Sequence, residues 1–313
     1  MTRGLALVLL SAANFILFGP PLYAQSLTLE PIVVIPTKSS FLASQTLRRL
    51  TVISREEIAR LPARSVPELL THLLGVDIRQ RGALGVQADI NMQGSNFEQV
   101  LVCLNGARLN DPQTGHHNMD LPLTLLDIER IEILSGPGSS LYGPGAFSGT
   151  INIVTRSPES QGLELEAAGG SFDFSQAALS INYPLGNFNS RFSFSRQESD
   201  GWRPDTDFET NALSFAAAKN FTNGAIEGLF GYSDKDFGAD SFYSNLYPHE
   251  EEHTDTRFFN LRARILDTAF CGRAKTNSRP KPWLWTSAIF LACQGRSEEA
   301  LVQPIKSSDH FLK

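Results

Sequence analysis

The residues best placed to do chemistry are His249-Glu-Glu-Glu-His253. Two histidines four apart with an intervening glutamate bind zinc and activate water when they share one face of a helix. Tyr247 and Pro248 precede this pair, β-prone segments flank it, and no downstream Gly-x-x-His supplies a third ligand. The stretch therefore reads as a solvated acidic loop. A secreted zinc hydrolase using His249, Glu250 and His253 is kept as a rival reading. His116, His117 and Asp120 form a second polar cluster, without the further ligands that a metal cage needs. Gly136-Pro-Gly-Ser-Ser-Leu-Tyr-Gly143 lacks the Lys-Ser/Thr ending of a phosphate cradle and reads as a structural turn. Cys103, Cys271 and Cys293 include no Cys-x-x-Cys pair. The expectation is no catalytic residue, no metal ligand set and no cofactor. With 27 Lys+Arg against 33 Asp+Glu, the chain is not a general nucleic-acid binder.

The elements around these residues are short. Arg3, the apolar run Leu5–Phe18 and the break at Gly19-Pro20-Pro21 predict a cleaved signal peptide over 1–24. No later run is long enough for a membrane helix, so any span must use strands. Ser54-x-x-Glu57 and Ser65-x-x-Glu68 are capping boxes that open two short helices. The second places Val66, Leu69, Leu70, Leu73 and Leu74 on one face, and Gly75 stops it. Strands are predicted at 50–53, 76–79, 89–94 and 100–104, with Asn105-Gly106 as a tight turn. Gly82–Gln87 reads as a flexible polar loop, Asn110–Asp120 as another, and Leu125–Ile128 as one helical turn.

Beyond Leu163 the character changes. Segments of about ten residues alternate in polarity. They are expected at 163–169, 174–183, 188–197, 210–220, 226–233 and 257–265, with a turn at Pro184–Asn187 and a longer outer loop at 234–256. In Phe188–Gln197 the residues Phe188, Phe192 and Phe194 share one face against Asn189, Arg191, Ser193 and Ser195. After Ile265 the alternation stops. From Asp267 onward seven Lys/Arg stand against four Asp/Glu, reversing the balance of the rest. The simplest expectation is a frameshift or truncation within the sheet region, with a genuine C-terminal domain as the alternative.

Leu101-Val-Cys-Leu-Asn-Gly106, Ile128-Glu-Arg-Ile-Glu-Ile-Leu134, Gly136-Pro137, Leu141-Tyr142-Gly143 and Thr150-Ile-Asn-Ile-Val-Thr155 come in a characteristic order and spacing. In these motifs the chain resembles the plug domain of TonB-dependent outer-membrane receptors. The resemblance implies an α+β plug domain followed by antiparallel transmembrane β-barrel strands, here a partial barrel. The expected division is 1–24 signal peptide, 25–49 TonB-box segment and linker, 50–156 plug, 157–265 N-terminal barrel strands and 266–313 an aberrant tail outside the barrel. Glu30, Pro31, Ile32, Val33 and Val34 resemble the TonB box, although Ile35-Pro36 replaces the usual Thr-Ala. Gln93 and Ser135 stand where the family carries arginines that latch plug to barrel.

The resemblance implies energy-coupled uptake of an iron chelate or a corrinoid across the outer membrane of a Gram-negative bacterium. TonB, with the ExbB–ExbD energising complex, is the implied protein partner, and outer-membrane lipid surrounds the strands. Candidate ligand loops are Gly82, Ala83, Leu84, Gly85 and Gln87, then Asn110, Asp111, Gln113, His116, His117 and Asp120. Six strands cannot surround a plug of over a hundred residues, since family barrels use about twenty-two. A non-transporting envelope interaction protein is accordingly kept as a further alternative.

Overall fold

The computed structural model describes residues 49–111, 114–138, 144–158, 161–222, 224–242 and 249–265, with the backbones of three strands outside those ranges. The expected signal segment, Glu30, Pro31, Val34, Gln113 and 266–304 lie outside the described residues. Two short strands, β1 (Ile32–Val33) and β2 (Phe41–Leu42), pair antiparallel.

The next elements are β3 (Leu50–Ser54), a hairpin of β4 (Val76–Arg81) and β5 (Gln87–Met92), then β6 (Val100–Leu104), β7 (Ala107–Arg108), β8 (Ile128–Ser135) and β9 (Gly149–Thr155). Five of them form one sheet in the order β3-β8-β9-β6-β7. β6 and β9 run parallel, and the other neighbours are antiparallel. β5 pairs with β4 and not with β6. Both capping signals are realised. Ser54 and Glu57 exchange bonds at the start of helix Arg55–Ile58. Ser65 accepts from the Glu68 amide ahead of helix Val66–Thr71, while Glu68 reaches the Arg64 amide instead. Leu69 and Leu70 of this helix share one core with Ile90 of β5, Val102 of β6, Ile131 of β8 and Ile151 of β9. Leu74, expected on the buried face, is 86% exposed because the helix ends at Thr71.

The second sheet is a meander: β10 (Gly162–Gly169), β11 (Ser175–Leu185), β12 (Phe188–Ser199), β13 (Phe208–Phe221), β14 (Gly224–Gly238), β15 (Glu251–Ile265) and β16 (Ile305–Leu312), each antiparallel to the last. All six expected strands are present and longer than the polarity pattern gave. β14 and β15 run into both ends of the expected outer loop, through 238 and from 251, and leave 239–250 between them. β16 is a strand that the reading of 266–313 as outside the sheet did not foresee; its backbone adds to the open edge of β15, from Glu252↔Leu312 to Phe259↔Ile305. Among the described residues the sheet stays open, with β10 and β16 as its edges.

Two-residue turns join β11 to β12 and β13 to β14 at one end; at the other end the connections are longer, 170–174, 200–207 and 239–250. The faces are inverted relative to a water-soluble sheet. Ser180, Asn182, Arg191, Ser193 and Ser214 are buried, whereas Ile181, Phe192, Phe194, Phe215 and Phe230 are exposed. This is the apolar-out, polar-in alternation of a transmembrane barrel wall. The inward face is covered by the first domain, which sits against it.

Candidate functional site

The site is the contact between the first domain and the concave face of the meander. Thr124 opens the single turn Leu125–Asp127, and Asp127 caps it in return: Thr124 N and Oγ1 lie 2.9 and 3.0 Å from Asp127 Oδ2. That fixes the carboxylate toward the wall. Ser193 donates to Oδ1 at 2.6 Å from β12, and Ser214 donates to Oδ2 at 2.8 Å from β13. Arg191, 1% exposed, donates to Asn182 Oδ1 at 2.8 Å and to the Asp127 carbonyl at 3.3 Å. A buried charge is tolerated where its hydrogen bonds are complete, and the Arg191 guanidinium is held by acceptors from both domains. Glu164 of β10 bridges Arg55 and Arg156 of the first domain, each at 2.6 Å, with all three side chains partly buried.

A second set of contacts involves the expected ligand loops. The loop Gly115–Asp120 carries His117, whose Nδ1 is 2.9 Å from Asp120 Oδ2 and whose Nε2 is 3.4 Å from Glu252 Oε1 on β15. Lys235 of β14 donates to Asp120 Oδ1 at 2.8 Å and to the Val86 carbonyl at 3.1 Å. His117, Asp120, Lys235 and Glu252 are all buried. Burial alone would push the His117 imidazole down. The hydrogen bond and charge of Asp120, with Glu252 and Asp111, outweigh it, so His117 is held above its usual range. His116 pairs with Asp89 of β5 at 2.6 Å, and Gln87 donates to the His116 carbonyl at 3.2 Å.

The loop expected at Gly82–Gln87 is not a free polar loop. Gly82 (φ 77°) leads into a single turn at Ala83–Gly85. Val86 joins Phe208, Phe237 and Ala239 in an apolar cluster with Leu84 and Phe242 alongside, and Gln87 is a buried residue of β5. The reason is long-range: the partners of Leu84 and Val86 lie on the wall. Asn110 braces the adjacent strand, its Oδ1 accepting from Val102 N and its Nδ2 donating to the Val100 carbonyl, both at 2.9 Å. Asp111 accepts from Thr114 N at 3.1 Å. The structure thus brings His117 and Asp120 to the wall and turns Asn110 and Gln87 inward. It adds Lys235, Glu252, Asp127 and Arg191, which the sequence reading did not single out. Asp127 had a signal in the Thr124-x-x-Asp127 capping pattern; the others had only inward parity on their strands.

The His249–His253 stretch is not helical. Glu251–His253 belongs to β15, so four-residue spacing does not set the imidazoles side by side. His249 Nδ1 is 2.5 Å from Asp205, which raises its pKa by hydrogen bond and charge. His253 Nδ1 is 2.7 Å from Asp236. Asp234, Asp236 and His253 each offer one atom within 4.8 Å of the others and could hold a cation on the outward face.

Residues 43–150 match the TonB-dependent Receptor Plug Domain profile. Residues 43–150 are a plug domain of the TonB-dependent receptor type. The chain is 35% identical over 159 residues to the vitamin B12 transporter BtuB of Vibrio cholerae, covering 50% of this chain and 26% of that protein. It is 32% identical over 158 residues to the BtuB of Vibrio vulnificus, again covering 50% of this chain and 26% of that protein. The chain therefore spans about a quarter of the length of these relatives. The ferripyoverdine receptor FpvA of Pseudomonas aeruginosa superposes with TM-score 0.63 at 17% identity, over 75% of this chain and 34% of that one. The ferric citrate transporter FecA superposes with TM-score 0.60 at 18% identity, over 72% and 38%. At such identities these structures speak for the fold: a plug domain seated against the first strands of a receptor barrel.

Proposed function

We propose that this chain supplies the plug and first wall strands of an outer-membrane receptor for energy-coupled uptake of an iron chelate or a corrinoid. The observation that carries the reading is a plug-family domain seated on the polar face of a sheet whose other face is apolar. A lipid-facing wall enclosing a polar stopper is the architecture of a gated membrane pore. Relatives at 35% and 32% identity are vitamin B12 transporters, which supports the corrinoid arm. Ligand arrives at the long-loop end of the wall. TonB, energised by ExbB–ExbD, pairs from the periplasm with the segment Glu30-Pro-Ile-Val-Val34 as an added strand and pulls. The extended, paired backbone of Ile32–Val33 supports that role, since strand addition needs an extended segment.

The test is capture by the immobilised periplasmic domain of TonB. The chain and a peptide spanning Leu29 to Thr37 are expected to be retained. Val33→Pro removes a backbone donor from the middle of the segment and is expected to abolish retention. Equal retention of the proline variant would show that TonB does not read this segment, and no retention of either would remove the coupling step.

A further inference from the structure

We propose that the plug is latched to the β14–β15 hairpin by the line Lys235, Asp120, His117 and Glu252. The latch rests on contacts alone and not on the receptor reading. Asp120 and His117 lie three apart on one plug turn, and Asp120 N donates back to the His117 carbonyl at 3.1 Å. The turn thus offers an acid to β14 and an imidazole to β15. On the wall, Lys235 faces Thr254, and Glu252 lies one inward position above it. Charges alternate along the line, and each is taken from water against an opposite neighbour. Lys235 also holds the Val86 carbonyl, and Phe242 in the outer connection takes a hydrogen bond from Arg81. Both plug loops are therefore gripped by one hairpin.

A second observation bears on release of the latch. Ser233, Thr254 and Thr256 are buried hydroxyls on the same inward face, and their oxygens have no hydrogen-bond partner in the docked arrangement. Ser233 stands directly opposite Thr256, beside Lys235 and Thr254. Buried polar groups without partners are costly. Here they offer Lys235 and Glu252 replacement partners when the turn leaves, so release does not strand two charges.

The experiment uses the full 313-residue chain refolded in detergent micelles, with Cys271→Ser, Cys293→Ser and Met119→Cys. Met119 is a buried residue of the latched turn. Burial pushes the Cys103 thiol up to about 12, which keeps it unreactive, and the chain without Met119→Cys gives the baseline. Maleimide labelling of position 119 then reads release. Asp120→Asn and Lys235→Met are each expected to speed labelling by about a hundredfold, because each leaves the buried line with one charge unbalanced. The double variant is expected to recover most of the protection. Asp255→Asn, on the outward face of β15, is expected to change nothing. Circular dichroism follows the fold: if the single variants lose sheet and the double variant regains it, the pair is coupled and the latch stands. Labelling of the parent at the unfolded rate, parental labelling in the single variants, or additive effects in the double variant would overturn it. None of these outcomes depends on TonB capture, so the latch and the transport reading fail separately.

Discussion

Gly231 shows how closely one residue can set the fit between plug and wall. It lies on the inward face of β14, and a Cβ there would fall 2.2 Å from the Pro122 carbonyl oxygen. The obstacle is backbone, which cannot swing aside as a side chain can. Gly231→Ala is expected to destabilise the chain by about 1–3 kcal/mol, the usual cost of overpacking. Gly228→Ala is the control: on the opposite face its new methyl would meet only Leu261 Cδ1 at 3.8 Å, and stability should hold within about 0.5 kcal/mol. Denaturant unfolding in micelles compares the two, and equal loss in both would show that the Pro122 contact does not limit docking. Nothing local marks Gly231 as different from Gly228, because the clash comes from a segment far away in the chain. The same holds for Asp127, whose cap to Thr124 is legible but whose donors Ser193 and Ser214 are not.

At the scale of the strand, legibility is much better. Ile181, Phe192, Phe215, Phe230 and Phe259 stand directly opposite one another across five strands, a continuous apolar row on the outward face. Each strand advertises its share of that row by a period of two, which needs no knowledge of its neighbours. The strand ends were harder. Asp234-Lys-Asp236 looks like loop, yet it continues β14, since Lys235 finds Asp120 on the inward side while the two aspartates face outward with His253. The row makes a depth-dependent prediction. Phe215→Arg, in its middle, is expected to cost about 2–4 kcal/mol in lipid vesicles, and Phe221→Arg, at the strand end, about 0–1 kcal/mol. Denaturant titration of the vesicle-inserted chain measures both. Equal costs would mean that the row does not sit at the bilayer centre.

For the whole molecule, the motifs between Leu101 and Thr155 made the plug recognisable, and the alternation after Leu163 made the wall recognisable. How the two meet was not in either pattern, because every decisive contact joins residues that no periodicity relates. The contact at His117 gives the assembled chain a pH response. The imidazole is held above its usual value of 6.5 by Asp120 and Glu252, despite burial. A group whose docked pKa is raised favours docking in its protonated form. That contribution is complete below the unfolded value and fades as pH rises through the docked value. Labelling of Met119→Cys, corrected for maleimide reactivity, is therefore expected to quicken as pH rises above 6.5, the usual imidazole value. Asp111, Asp120 and Glu252 face the ring as acids and Lys235 reaches it through Asp120, so the proton on His117 balances the line. His117→Gln removes that proton while keeping an amide donor for Asp120 or Glu252. It is expected to label faster than the parent at pH 6.5 and to lose the added pH dependence. A variant that keeps the parent's full response would place the titrating group elsewhere in the plug.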